Sequence, residues 1–157
     1  VICETPRHNY RILTKRAHRM VEYFSQHTVP ANVWLGVAVE APAYRNRIDE
    51  LRKLQSATIR FLSCEPLIDD LGELDLSGID WVIVGGESGN QARPMKKEWA
   101  LNIRNQCEKY ESTFFFKQGG TWGGDGVKRS KHKNGKTLDG ETFHDMPSLA
   151  EGTSIQK

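Results

Sequence analysis

The sequence contains few cysteines, no long apolar run and no nucleotide fingerprint. Without a run of 18 apolar residues or a signal-peptide pattern, it predicts no membrane span and no membrane partner. The three cysteines, Cys3, Cys64 and Cys107, are scattered and include no CxxC pair. This spacing argues against a disulfide framework and a zinc site, so we expect a cytoplasmic protein that binds no metal. The stretch VGGESGNQARP lacks the G-x-G-x-x-G pattern of dinucleotide-binding proteins.

The remaining composition is that of one soluble globular domain. A chain of 157 residues, 38% hydrophobic and 27% charged, is long enough for one core and short for two. It begins at Val1 rather than Met, so we expect a trimmed or partial product. We predict a main domain over residues 1–120, a Gly/Lys-rich loop and hairpin lobe over 121–147, and a flexible tail over 148–157. The NG and DG pairs at 134–135 and 139–140 are turn signals within that lobe.

Strand-like and helix-like segments alternate through the main domain. Apolar strands are predicted over residues 10–15, 33–40, 59–65, 80–87 and 113–120, and amphipathic helices over 16–27, 43–54 and 96–110. Such alternation predicts an α/β fold whose parallel sheet is covered on both faces. The fold is therefore a partial (β/α) barrel or an open parallel sheet of about five strands.

Each predicted strand ends in or near a charged residue. These residues are Lys15, Glu40, Glu65, Glu87 and Lys117. Because the carboxyl ends of parallel strands meet at one edge, the five side chains could form the polar rim of a ligand site. The alternative is that polar residues only mark where each strand reaches solvent.

Two of these strand ends have distinctive neighbours. Glu65 precedes Pro66, which ends the strand, and Glu87 follows Gly85 and Gly86, which permit a close approach of backbone or ligand. We expect the charged forms of both carboxyls to be disfavoured by nearby acids until a ligand or Lys117 compensates. Two residues that follow, near the start of the next helix, are candidates for contacting an anion or a ribose: Ser88 and Arg93.

A basic stretch, KRSKHKNGK, occupies residues 128–136 and contains no acid. Its cations are candidates for an anion or nucleic-acid contact, with Trp122 nearby. The alternative is an ordinary solvated loop, and we expect no nucleic-acid partner. The cations are Lys128, Arg129, Lys131, Lys133 and Lys136.

Six motifs carry a family resemblance: YRILTKRAHRM, VWLGVAVE, RFLSCEPL, DWVIVGGESGNQARPM, FFFKQGG and GKTLDGETFHDMP. Over residues 7–147 the chain resembles the phage-associated three-cysteine-motif proteins, a domain of unknown function. That family is similar to radical S-adenosylmethionine (SAM) enzymes. The resemblance implies a partial (β/α) barrel whose amino-terminal half carries three cysteines for an iron–sulfur cluster.

The chain departs from this pattern because the three-cysteine segment is missing. We therefore expect no cofactor in this chain, although the resemblance makes SAM a possible ligand near Gly85, Gly86 and Glu87. The first functional interpretation is the carboxy-terminal half of a radical-SAM-like barrel that retains a small-molecule cavity, inactive alone or a fragment of an enzyme. The second is a non-catalytic binding or assembly module, and the third is a nucleic-acid-binding protein.

The expected partner follows from strand number. Five parallel strands cannot close a barrel that needs eight, so one sheet edge should be uncovered. We expect either a homodimer through that edge or an association with a missing amino-terminal half.

Overall fold

The computed structural model describes residues 2–148, so the predicted tail lies, except for residue 148, outside the described residues. The main domain alternates strands with helices, and short elements follow it. In chain order they are β1 (Tyr10–Thr14), α1 (Ala17–Gln26), β2 (Val33–Ala38), α2 (Asn46–Arg52), β3 (Ile59–Cys64), β4 (Trp81–Gly85), α3 (Lys97–Lys109), β5 (Thr113–Gln118), α4 (Lys131–Asn134), β6 (Thr137–Leu138) and β7 (Glu141–Thr142). None of the helices described is long and apolar enough to cross a membrane.

The five main strands form one parallel sheet in the order β1-β2-β3-β4-β5. This confirms the predicted α/β class and the open parallel sheet of five strands. Among residues 2–148, β1 and β5 do not pair with each other, so the sheet does not close into a barrel. The register between β4 and β5 shifts after Val84, so that Gly85 pairs with Gln118.

All three long helices pack on one face of the sheet. One buried cluster joins Met20 of α1, Leu51 of α2 and Ile103 of α3 to inward residues of every strand from β2 to β5. The arrangement follows from topology, because right-handed crossovers between strands in sequential order place each helix on the same side. We expected both faces of the sheet to be covered, but these helices cover only one of them.

The opposite face of the sheet is lined by aromatic rings. Trp34, Phe61 and Trp81 form a second buried cluster, and the Trp81 indole donates to the carbonyl of Asp145 at 3.2 Å. The Arg11 guanidinium lies 5.4 and 5.1 Å from the centroids of the two tryptophan rings. Aromatic contact area and a cation–π interaction thus shield this face where no helix covers it.

The two edges of the sheet differ. On the β5 edge, the backbone amide of Phe116 donates to Phe143 at 2.8 Å, and His144 forms an antiparallel bridge with Phe115. The outer edge of β1 has no strand partner within residues 2–148. The carboxy-terminal segment therefore protects one edge and leaves the other available.

The lobe after β5 is held to the main domain by a few polar contacts. The Asn134 amide donates to the carbonyls of Gly120 and Thr121, each at 2.9 Å, and the Trp122 indole donates to Ala92 at 2.6 Å. Asp139 and Gly140 form the two-residue turn between β6 and β7, both with positive φ, as the DG signal indicated.

Gly36 in β2 tests the packing of the aromatic face. A Cβ at this position would overlap the ring of Phe61, which is itself buried. We expect Gly36→Ala to lower the free energy of unfolding by about 1–3 kcal/mol, the usual cost of overpacking a dense core. Urea unfolding curves measure the change. Gly124→Ala is the matched control, because no atom lies within 4 Å of its added methyl, and equal midpoints for the two variants would contradict the packing argument.

Candidate functional site

A cavity of about 620 Å³ lies at the carboxyl ends of β3, β4 and β5. The strand ends form one side of this strand-end cavity, and residues from α4 and the turn after it form the other. Its volume is within the range of small-molecule sites in proteins. The lining residues are Glu65, Pro66, Gly86, Glu87, Ser88, Lys117, Gln118, Lys131, His132, Gly135 and Lys136.

Several residues of the predicted rim therefore come together, and others do not. The cavity includes Glu65, Gly86, Glu87, Ser88 and Lys117. Four further predicted rim residues do not line it: Lys15, Glu40, Gly85 and Arg93.

Glu65 lies at the centre of a small polar network. The Lys117 ammonium is 3.1 Å from its Oε2, and the Gln118 amide donates to its Oε1 at 3.4 Å. The peptide bond between Glu65 and Pro66 is cis. Of the two groups predicted to compensate Glu65, a ligand or Lys117, the structure places Lys117 beside the carboxylate.

Gly85 and Gly86 make room for protein atoms. A Cβ on Gly85 would lie 3.0 Å from the carboxyl carbon of Glu65, and one on Gly86 would overlap the carbonyl oxygen of Gly119. A Cβ on Gly120, whose φ is 83°, would lie 2.4 Å from the carbonyl oxygen of Glu87. Gly86 and Gly120 thus permit a close crossing of the chain after β5 over the end of β4, and Gly85 makes room for the Glu65 side chain.

Glu87 forms a bidentate ion pair with Arg93. The guanidinium Nε and Nη2 each donate to the carboxylate at 2.8 Å, and the Arg93 backbone amide adds a third bond at 2.8 Å. These hydrogen bonds from the Arg93 side chain and backbone lower the pKa of Glu87 from 4.5 to about 2. The expectation that its charged form is disfavoured was therefore wrong, because Arg93 compensates it.

Lys15 and Glu40 belong to a separate cluster at the ends of β1 and β2. Glu40 is only 4% exposed and contacts both Lys15 and Arg47, the latter at 3.1 Å. Burial opposes the charged form, but the hydrogen bond and ion pair with Lys15, aided by Arg47, lower the pKa of Glu40 overall. Both carboxylate oxygens already have a cation partner, so this cluster joins β1, β2 and α2.

The basic stretch divides between three environments. Lys131 and Lys136 line the strand-end cavity, whereas the exposed Lys133 does not. Lys128 donates to the carbonyl of Asn90 at 3.2 Å and lies 4.9 Å from the Trp122 ring centroid. Arg129 pairs with Asp125, so the stretch is not one continuous basic surface.

Sequence reasoning did not select four lining residues: Pro66, Gln118, His132 and Gly135. Gln118 directly follows Lys117 at the end of β5 and joins β5 to the chain after β4. Its amide donates to the Gly86 carbonyl at 3.1 Å and its oxygen accepts from Ser88 at 3.3 Å. A search for uncharged polar residues at strand ends would have found it. His132 lies within the basic stretch, where only lysine and arginine were considered.

The charges around the cavity do not cancel. Glu65 pairs with Lys117, and Glu87 pairs with Arg93. Lys131 and Lys136 have no carboxylate partner within the part of the chain that the structure describes. The cavity therefore has an excess of positive charge on the side formed by residues 131–136.

The cysteines do not fit the ligand set of an iron–sulfur cluster. Cys64 and Cys107 are buried in the core, and burial raises the pKa of both thiols, to about 12 for Cys107. Cys3 is exposed near the amino terminus. No group of three or more His, Cys, Asp or Glu residues within residues 2–148 could hold a metal ion. A cluster needs several thiolates presented together, and this chain does not offer them.

Replacing Glu87 tests whether its ion pair stabilises the fold. We expect Glu87→Gln to lower the free energy of unfolding at pH 7 by about 0.5–1 kcal/mol, because Arg93 loses a charged acceptor at a pair that solvent partly screens. A carboxyl whose pKa is lowered from 4.5 to about 2 stabilises the protein above pH 4.5, and that contribution is lost as the pH falls through 2. Urea unfolding at several pH values measures both effects.

The control for this variant is Glu22→Gln on the exposed surface of α1. It removes the same charge without removing an ion pair. Equal stability of both variants at pH 7 would show that the Glu87 pair contributes nothing. We also expect the difference between Glu87→Gln and the unmodified protein to shrink as the pH falls from 4.5 toward 2.

Comparisons with known proteins give one family. A family model described as a protein of unknown function (DUF5131) matches residues 1–147. No curated protein and no solved structure matches the chain. The family description specifies no ligand, activity or partner, so a functional conclusion depends on the geometry of the site.

Proposed function

The chain belongs to the DUF5131 family of proteins of unknown function, and on that premise we propose that it binds a small polar molecule in the strand-end cavity. The observation that carries the proposal is a convergence. Charged and polar residues from three strand ends meet basic residues from a segment more than ten positions later in the chain. This edge of a parallel sheet is where α/β proteins bind ligands.

The walls of the cavity are suited to a polar ligand. Lys117 is half exposed even though it contacts Glu65, and Ser88, which also lines the cavity, is exposed. The lysines at 131 and 136 and His132 add donors from the opposite wall. Gln118 holds the strand ends together, and Asn134 holds the α4 side to the chain at the glycine crossing, so neither wall depends on a ligand, which supports a preformed site.

A narrower form of the proposal follows from the resemblance to phage-associated, radical-SAM-like proteins. In it, the chain is the carboxy-terminal half of such a barrel and contributes the ligand cavity, while any iron–sulfur cluster belongs to another segment or partner. The cysteines of this chain support that division because they do not fit a cluster. SAM is then one ligand to test, and this chain alone performs no radical chemistry.

The alternative of a nucleic-acid-binding protein has less support from the same residues. Such proteins present a continuous basic surface. Here Arg129 is neutralised by Asp125, and Lys128 lies against Trp122 and Asn90, apart from the cavity lysines. A non-catalytic binding or assembly module agrees with the proposal, since the cavity needs no catalytic group to hold a ligand.

Ligand titrations of the protein and of a variant with a bulky side chain at the cavity test the proposal. We expect SAM or ribose 5-phosphate to shift the amide resonances of Glu87, Ser88 and Gln118 in two-dimensional NMR spectra. Ser88→Trp should abolish these shifts because its indole would occupy the cavity. Ser56→Trp is the matched control, since Ser56 is exposed in the turn before β3, at the other end of the strands. Shifts that persist in Ser88→Trp, or an absence of shifts with both compounds, would contradict the proposal.

We also propose that two copies of the chain associate through the uncovered edge of β1. Leu13 in β1 is 50% exposed beside backbone groups that have no strand partner among residues 2–148. Such edges favour pairing with another chain. We expect light scattering to give a dimer mass, and Leu13→Lys to shift it toward monomer, because a lysine ammonium resists burial at an interface.

Tyr23→Lys on α1 is the control for the dimer, because Tyr23 is similarly exposed but lies outside the sheet. A monomer mass for the unmodified chain would refute the homodimer. In that case an amino-terminal half barrel is the remaining candidate for this edge.

A further inference from the structure

We infer that the ligand of the strand-end cavity carries a doubly charged anionic group of the phosphate-ester class, held by Lys131 and Lys136. This inference rests on the proposed function and deepens it by naming the chemical class of the ligand. Three features of the cavity lead to it. They are its uncompensated charge, the attachment of the wall formed by α4 and the turn after it (the basic wall), and the groups on the wall formed by the strand ends (the strand-end wall).

The first feature is charge. The carboxylates at the cavity already have cationic partners, Glu65 with Lys117 and Glu87 with Arg93. The ammonium groups of Lys131 and Lys136, on the basic wall, have no carboxylate partner among residues 2–148. Two like charges facing one cavity repel each other, and an anion between them removes that repulsion. A single carboxylate would balance one of them, whereas a phosphate ester carries close to two negative charges at neutral pH.

The second feature is the attachment of the basic wall. The Ser130 hydroxyl caps α4, and Asn134 at the end of α4 donates to two carbonyls of the chain that crosses β4. Residues 131 and 136 lie on either side of this anchor, so both are presented from a fixed piece of backbone. An anion site built from flexible side chains gains affinity when the backbone that carries them is fixed.

The third feature is the strand-end wall, whose polar groups can form hydrogen bonds with the uncharged part of the ligand. Glu65 accepts hydrogen bonds and is partly exposed, and the Ser88 hydroxyl both donates and accepts. Carboxylate and hydroxyl groups of this kind bind the hydroxyls of a sugar or polyol. A cavity with cations on one wall and such groups on the other suits a phosphorylated, hydroxyl-bearing molecule.

The experiment compares two probes of the same sugar, one with a phosphate and one without. Ribose 5-phosphate and ribose are titrated into the chain at constant ionic strength, and the amide shifts of Glu87, Ser88 and Gln118 give dissociation constants. We expect ribose 5-phosphate to bind at least about tenfold more tightly than ribose. Each of Lys131→Gln and Lys136→Gln should weaken its binding by about tenfold, the usual effect of losing one charge-assisted contact.

Lys133→Gln is the matched control. It removes the same charge from α4, the short helix that also carries Lys131, but Lys133 does not line the cavity. It should change the dissociation constant by less than about twofold, because Lys133 does not contact the cavity and solvent screens its charge from a ligand there. An equal loss of affinity in all three variants would indicate attraction to a diffuse basic surface and would overturn the inference.

The remaining outcomes separate the inference from the proposed function. If ribose and ribose 5-phosphate bind equally and Ser88→Trp abolishes both, the cavity binds a ligand but the phosphate class is wrong. If ribose 5-phosphate produces no shifts while SAM produces shifts that Ser88→Trp abolishes, the inference again fails and the proposed function stands. If none of the three compounds produces shifts at the cavity, both fail.

Discussion

A close crossing of backbone at the ends of β4 and β5 is the constraint on which the site depends. Gly86 lies against the carbonyl of Gly119, and Gly120 lies against the backbone of Glu87. The amide of Thr121 then donates to Glu87 at 2.9 Å. Side chains at these glycines would force the two segments apart. Because the crossing directs the chain back over the strand ends, the lobe that follows can supply the second wall of the cavity.

This crossing also explains why a small lobe with few buried residues has a defined position. Its four-residue helix is too short to be stable alone. Hydrogen bonds from Asn134 and Trp122 to backbone carbonyls, together with the pairing of Phe143 beside β5, fix it to the main domain. The lobe thereby has two roles, since it protects the β5 edge and carries basic residues to the strand ends.

The sequence was sufficient to predict the elements that depend on local pattern. Apolar strands separated by amphipathic helices predicted the parallel sheet, and charged strand ends such as Glu65 and Lys117 predicted where side chains would converge. Three results depended on tertiary geometry and could not be predicted. The partner of Glu87 is six residues away in a loop without periodicity, and the side of the sheet that each helix covers follows from strand order. Basic residues at 131 and 136 looked equivalent to Lys133 in sequence, and only the position of α4 separates them.

The distribution of charge distinguishes stabilising pairs from groups available to a ligand. Glu40 is buried with two cation partners, and Glu87 accepts three hydrogen bonds from Arg93, so both carboxylates hold parts of the fold together. Burying a charge is tolerated only when such partners compensate the lost hydration. The lysines at 131 and 136 remain in solvent, and the fold does not require them to be paired. Because the acids of the cavity are paired within the protein while Lys131 and Lys136 have no carboxylate partner among the described residues, the ligand we propose is an anion, although the strand ends alone would suggest a site of mixed charge.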